Sequence, residues 1–217
     1  MAEELVAELT DQELRAALGG AVADPAWLTD AEHRVSVSPS AIGTLFPAVS
    51  RRCGRGPMPG RHPGLAGWTV DDAARTLLLT ALPLRGPDLA AEAGLLYRCG
   101  DAAEKRGVLR ALPWLDIGAG GVELLHDAIR SNDPRLVAAA LGPYAAQLAD
   151  PMWRQAVLKC VFMDIPLSQV SGLAWRADGE LGRMLADLAG ERRAAGRTMP
   201  ADAGALLAML TDAEGAG

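Results

Sequence analysis

The chain is predicted to be all-α, and three observations predict it. Of its 217 residues, 41 are Ala and 32 are Leu, the two residues that head the helix scale among apolar side chains. Only four are Ile and twelve Val, and aromatics make up 4%, so the β-branched and aromatic residues that suit a pleated surface are scarce. Pro, Gly and Asp also recur at intervals that cut the sequence into helix-length pieces.

Each piece has a local reason. Residues 2–18 read as an amphipathic opening helix. Asp24-Pro25 is a cap followed by a first-turn proline, starting a helix that runs to about Val37, and Ser38-Pro39 repeats the signal. The stretch 53–67 is dense in Gly and Pro and reads as the one long loop, a lid or a linker. Beyond it helices are predicted at 69–82, 88–99, 101–112, 119–130, 134–141, 151–163, 177–195 and 201–211. Short connections make neighbours antiparallel, and starts near 69, 101, 134 and 166 give a spacing of about 32 residues per pair, within the range of helical arrays. The expected architecture is therefore antiparallel helix pairs stacked as a short α-α superhelix-like array, with an irregular helical bundle as the alternative. The chain divides into an amino-terminal helical segment at 1–52, the loop at 53–68 and a helical core at 69–217, together one compact domain.

The formal charge of −6 and pI near 5.1 lack the basic footprint of a nucleic-acid binder. Cys53, Cys99 and Cys160 are odd in number, well separated and without a C-x-x-C pair, so they read as reduced thiols rather than disulfide or zinc ligands. No apolar run reaches the length of a membrane span, and the acidic start is unlike a signal peptide. A cytoplasmic location is expected. Arg occurs 19 times, Lys twice and Asn once, a bias of the kind a GC-rich genome produces, which draws attention to the lone Asn132 and to Lys159.

Three helices carry the chemistry-bearing residues. Glu123, His126, Asp127 and Arg130 fall within about 100° of one another on a helical wheel, a strip that is either solvated or the border of a groove. In 151–163 apolar residues point all round the axis, which predicts a buried helix. Its polar exceptions are Arg154, standing alone, and Gln155 with Lys159, four apart on one edge. A buried ammonium needs compensation, so Lys159 is expected to meet Glu123, Asp127 or Asp178, or to reach a ligand pocket. Arg176, Glu180, Arg183 and Asp187 alternate in sign, the pattern of an exposed helix laced with weak ion pairs.

Enzyme signatures are missing. Glu123-x-x-His126 has no second copy for a di-iron site, and Asp71-Asp72-Ala-Ala-Arg75 breaks the aspartate-rich magnesium pattern at its last position. The two aspartates read as first-turn acids favoured by the helix dipole. Phosphate loops, nucleophile elbows and metalloprotease motifs are not found, so no cofactor and no metal is expected.

The segments His126-Asp-Ala-Ile-Arg-Ser-Asn132-Asp-Pro134 and Trp153-Arg-Gln155-Ala-Val-Leu-Lys159 resemble the EboA family of metabolite-traffic proteins. So do Pro166-Leu167, the run from Arg176 through Asp178 and Arg183 to Asp187, Glu191-Arg192 and Gly196-Arg197. The resemblance covers about residues 120–200. It implies a helical cytosolic protein of bacterial secondary-metabolite gene clusters, delivering or processing a precursor alongside a membrane prenyltransferase-like protein and sugar-type enzymes. It brings no catalytic residues. It marks His126, Asn132, Trp153, Gln155, Lys159, Arg176, Asp178 and Arg183 as candidate ligand-binding positions. Family members have a second proline two residues beyond an Asn-Pro pair, whereas this chain inserts Asp133, so its loop after the His126 helix is reshaped.

The function expected from these readings is an accessory protein that binds a small polar metabolite or partner proteins of its pathway. The alternatives are an isomerase, lyase or transferase using His126 or Lys159 on a sugar-like or cyclitol-like intermediate, and a purely structural scaffold. No nucleic acid and no membrane insertion are expected.

Overall fold

Helix starts are built by local capping, as the sequence implies. In a computed structural model that describes residues 10–59 and 63–215, Thr10 and Glu13 form a reciprocal capping box ahead of α1 (Asp11–Leu18). This satisfies two of the otherwise orphaned amides of a first turn. The part of the predicted opening helix before Thr10 lies outside the described residues. Asp24 accepts from Trp27 N at 3.0 Å to start α2 (Pro25–Val37). Ser38-Pro39 opens a 3-10 turn, Pro39–Ala41, that leads into α3 (Ile42–Cys53).

The described flanks of the long loop are pinned. Val70 N donates to Gly56 O at 2.8 Å and Met58 N to Trp68 O at 3.0 Å, around an antiparallel bridge between Pro57 and Thr69.

Downstream come α4 (Val70–Thr80), α5 (Gly86–Cys99), α6 (Ala102–Ala111), α7 (Val122–Arg130), α8 (Pro134–Ala140) and α9 (Asp150–Phe162). The short α10 (Leu173–Arg176), which periodicity did not reveal, precedes α11 (Gly179–Ala194) and α12 (Ala201–Gly215). Asp101 with Glu104 boxes α6, Asp133 caps α8 and Asp178 caps α11. The inserted Asp133 thus has a structural use: it accepts from Arg135 N at 2.9 Å and sets Pro134 at the first helical position. The fold is all-α, and among the described residues the bridge at Pro57 is the only extended pairing.

Two compact units are found, residues 1–124 and 125–217, the division falling inside α7. In the first, α4 is central, packing on α1, α2, α3 and α6, while α5 packs on α6. In the second, α9 packs on α8 and α11, and α11 on α12.

One burial expectation is corrected. Helix α9 buries a single face, through Trp153, Ala156, Val157, Cys160 and Val161, and leaves Phe162 65% exposed. The helix buried all round is α4, in which every residue from Val70 to Leu79 is inside, Asp71, Asp72 and Arg75 included. Apolar letters around α9 outnumber the neighbours available to cover them, whereas α4 is surrounded.

Candidate functional site

All eight predicted positions lie in the second unit: His126 on α7, Asn132 just after it, and the other six on α9, α10, α11 and their caps. Lys159 projects from α9 and donates to Ile129 O at 2.5 Å and Ser131 O at 2.7 Å. These are carbonyls at the end of α7, where intrahelical donors run out and the helix dipole is negative. The expected carboxylate partner is therefore replaced by a helix terminus. That suits an ammonium, whose three N–H groups can satisfy two carbonyls at once.

Arg176 is committed in the same way. It donates to Ala145 O at 2.9 Å and Leu148 O at 2.8 Å, pairs with Asp150 at 2.6 Å, and lies 4.7 Å over the ring of Trp153. Trp153 is fully buried, and its indole N–H reaches Ser171 O at 3.3 Å. Arg154, which the sequence left alone, grips Asp178 in a fork at 2.5–3.2 Å while Asp178 also accepts from Leu181 N. The Arg154 hydrogen bonds hold the Asp178 carboxyl below the usual carboxylate range, against the opposing effect of burial.

Trp153, Arg176 and Asp178 thus gather around the first turns of α9. Lys159 engages a separate set of carbonyls. Arg183 stands on the exposed face of α11 between Glu180 at 2.7 Å and Asp187 at 2.9 Å, and lines an open groove of about 460 Å³ with Ala186 and Thr211. Asn132 and Gln155 are exposed and His126 is half-buried.

The first unit contains polar chemistry that the sequence reading missed. Asp71 is a first-turn acid of α4, as expected, but it is 1% exposed. It accepts from Ser50 Oγ at 2.8 Å, Thr69 Oγ1 at 2.5 Å and Arg75 Nη1 at 2.8 Å. Burial opposes its ionisation, and these bonds overcome that and hold its carboxyl below the usual range. Asp72, fully buried, takes Arg106 Nε at 2.9 and 3.0 Å and Thr69 N at 3.1 Å. Here burial wins and pushes the carboxyl up despite Arg106. Arg75 donates to Ser50 Oγ at 2.9 Å and lies 5.3 Å over Phe46. Its stem crosses α6 at Gly107, where a Cβ would lie 2.6 Å from Arg75 Cδ.

A usable signal for this burial stands in the sequence. On a wheel of 3.6 residues per turn, Leu78 and Leu79 fall on the same arc as Asp71, Arg75 and Asp72. A polar arc interrupted by leucines is not a solvent face.

A second groove in this unit, about 480 Å³, is lined by Ala90, Gly94, Arg98, Gly120 and Glu123 among others. Among the described residues no group of three or more His, Cys, Asp or Glu side chains is placed to hold a metal ion. Nor is any helix there long and apolar enough to cross a membrane. Cys53 and Cys160 are buried, and burial pushes their thiols up to about 11 and about 12, whereas Cys99 is exposed.

Comparison with known proteins gives one match: residues 54–207 fit the family model described as Metabolite traffic protein EboA. The matched span begins far upstream of the resemblance at 120–200 and takes in α4, α5 and α6. No curated protein and no solved structure matches the chain.

Proposed function

The chain belongs to the EboA family of metabolite traffic proteins, and from that premise we propose that it is an accessory protein of a bacterial secondary-metabolite pathway. In this reading it binds a small polar metabolite and passes it on without transforming it. One observation carries the non-catalytic part: the two cations best suited to chemistry in the second unit, Lys159 and Arg176, are spent on backbone carbonyls. A general acid or base must reach the proton that it moves, and an ammonium seated on two carbonyls is poorly placed to do so.

On the same reading the eight family-marked positions divide by task. Trp153, Lys159, Arg176 and Asp178 form the frame, and Arg183 belongs to a surface ladder. The half-buried His126 and the exposed Asn132 and Gln155 are the candidate contacts for a metabolite or for a partner enzyme of the pathway, in the cytoplasm.

The test is thermal-shift screening of the full chain against neutral sugar-like and cyclitol-like compounds, with each hit followed over hours by NMR. A hit raises the melting temperature by mass action and stays chemically unchanged. Consumption of a hit would establish the enzyme reading instead. A screen in which no compound stabilises the protein, together with capture of a pathway enzyme, would establish a scaffold.

A further inference from the structure

The buried cluster of the first unit does not balance its charge. Three guanidiniums, Arg75, Arg106 and Arg110, accompany two carboxylates, Asp71 and Asp72. Arg75 and Arg106 occupy the carboxylates through the contacts given above. Arg110 is the remainder. It is 8% exposed, and among the described residues it makes no hydrogen bond or ion pair, its Nε being buried without a partner. Its contact is with the face of Trp68, 5.7 Å from the ring centroid.

This is an expensive arrangement. A guanidinium cannot shed its proton to escape burial, and a buried charge without a hydrogen-bonded counter-charge is strongly unfavourable. Burial pulls the Arg110 guanidinium below its ordinary value, with Asp72 opposing and the neighbouring Arg106 adding to the effect. Stacking on Trp68 uses the face of the guanidinium and leaves its in-plane N–H edges, the part that binds oxyanions in a fork.

Position agrees with this. Arg106 and Arg110 stand four apart on α6 and share a face. The ion pair Arg75–Asp71 is sealed, each side chain 1% exposed, although Arg75 Nε, like Arg110 Nε, has no hydrogen-bond partner; the Arg106 side chain is 12% exposed. The cluster thus meets the surface on the α6 side, at Arg106, on the helix face that Arg110 shares.

We infer that Arg110, flanked by Arg106 and stacked on Trp68, is a subsite for the oxyanion group of a ligand, a carboxylate or a phosphate. The ligand would supply the missing negative charge. This site lies in the first unit, apart from the positions marked in the second, and does not depend on the metabolite reading above.

The test uses the full chain at constant ionic strength, titrated with sodium phosphate in one arm and sodium acetate in the other, against sodium chloride. One or both oxyanions raise the melting temperature saturably, and the arm that responds names the chemistry. Arg110→Met loses at least about five-sixths of that response, a residual expected when one fork of roughly 1 kcal/mol or more is removed. Without ligand, this variant melts above the wild type, because a binding residue held at the cost of stability is relieved by an apolar replacement. A second measurement needs no variant: the Arg110 Nε–H resonance shifts saturably with the active anion. The inference is overturned if neither oxyanion exceeds chloride, if Arg110→Met responds like the wild type, if that variant is less stable than the wild type, or if the Nε–H resonance stays still.

Discussion

Gly107 and Arg75 are in such close contact that any side chain at position 107 would collide with the arginine stem, a Cβ lying 2.6 Å from Cδ and 3.2 Å from Cβ of Arg75. The stem cannot swing away, because the head of Arg75 is held by Asp71 and Ser50 at 2.8 and 2.9 Å.

Gly107→Ala is therefore expected to destabilise the protein although alanine is the better helix former. Overpacking in a core costs about 1–3 kcal/mol, against a propensity gain of about 1 kcal/mol. The net loss, up to about 2 kcal/mol, would appear in urea denaturation as a lower midpoint at unchanged slope. A midpoint above the wild type would mean that α6 and α4 can separate without cost.

Lys159→Met tests the seat on α7. Two carbonyls would lose a charged donor, and hydrogen bonds to charged groups contribute about 1.5–3 kcal/mol, offset in part by methionine filling the same space. A net loss of about 1–2 kcal/mol is expected, with hydrogen exchange speeding up around Ile129–Ser131. If stability is unchanged and binding of a screened metabolite is lost, Lys159 contacts ligand.

Asp178 provides a pH test. Its folded carboxyl titrates below the ordinary aspartate value of about 3.9 because Arg154 grips it. The folded state thus binds fewer protons than the unfolded state in acid. The stabilisation is fully present above about pH 4 and is lost as pH falls through the folded value. Following the Asp178 side-chain carbon by NMR should give a midpoint below 3.9, moving back up in Arg154→Met. An unmoved midpoint in that variant would assign the shift to the α11 terminus alone.

How much was legible depended on whether a residue acts locally. The cap at Asp24 is decided by a side chain and an amide three positions away, and helix starts beyond the long loop were readable to within about three residues. The Arg183 ladder is equally local. Lys159 was recognised as needing compensation, but its partner is some 28–30 residues distant in sequence, and a carbonyl leaves no letter to find. Asp71 is the first-turn acid expected, but its burial was not legible for the same reason: such an acid looks alike whether water or Arg75 and Ser50 surround it.

Composition and spacing by themselves determined the all-α class, the order and length of most helices and the acidic net charge, since the helices rest on propensities and contacts within one or two turns. Only the tertiary structure decided which helix is buried all round, which cations end on carbonyls, and that Arg110 Nε is buried without a hydrogen-bond partner. Burial is a property of what packs against a helix, and α4 has neighbours on every side where α9 does not.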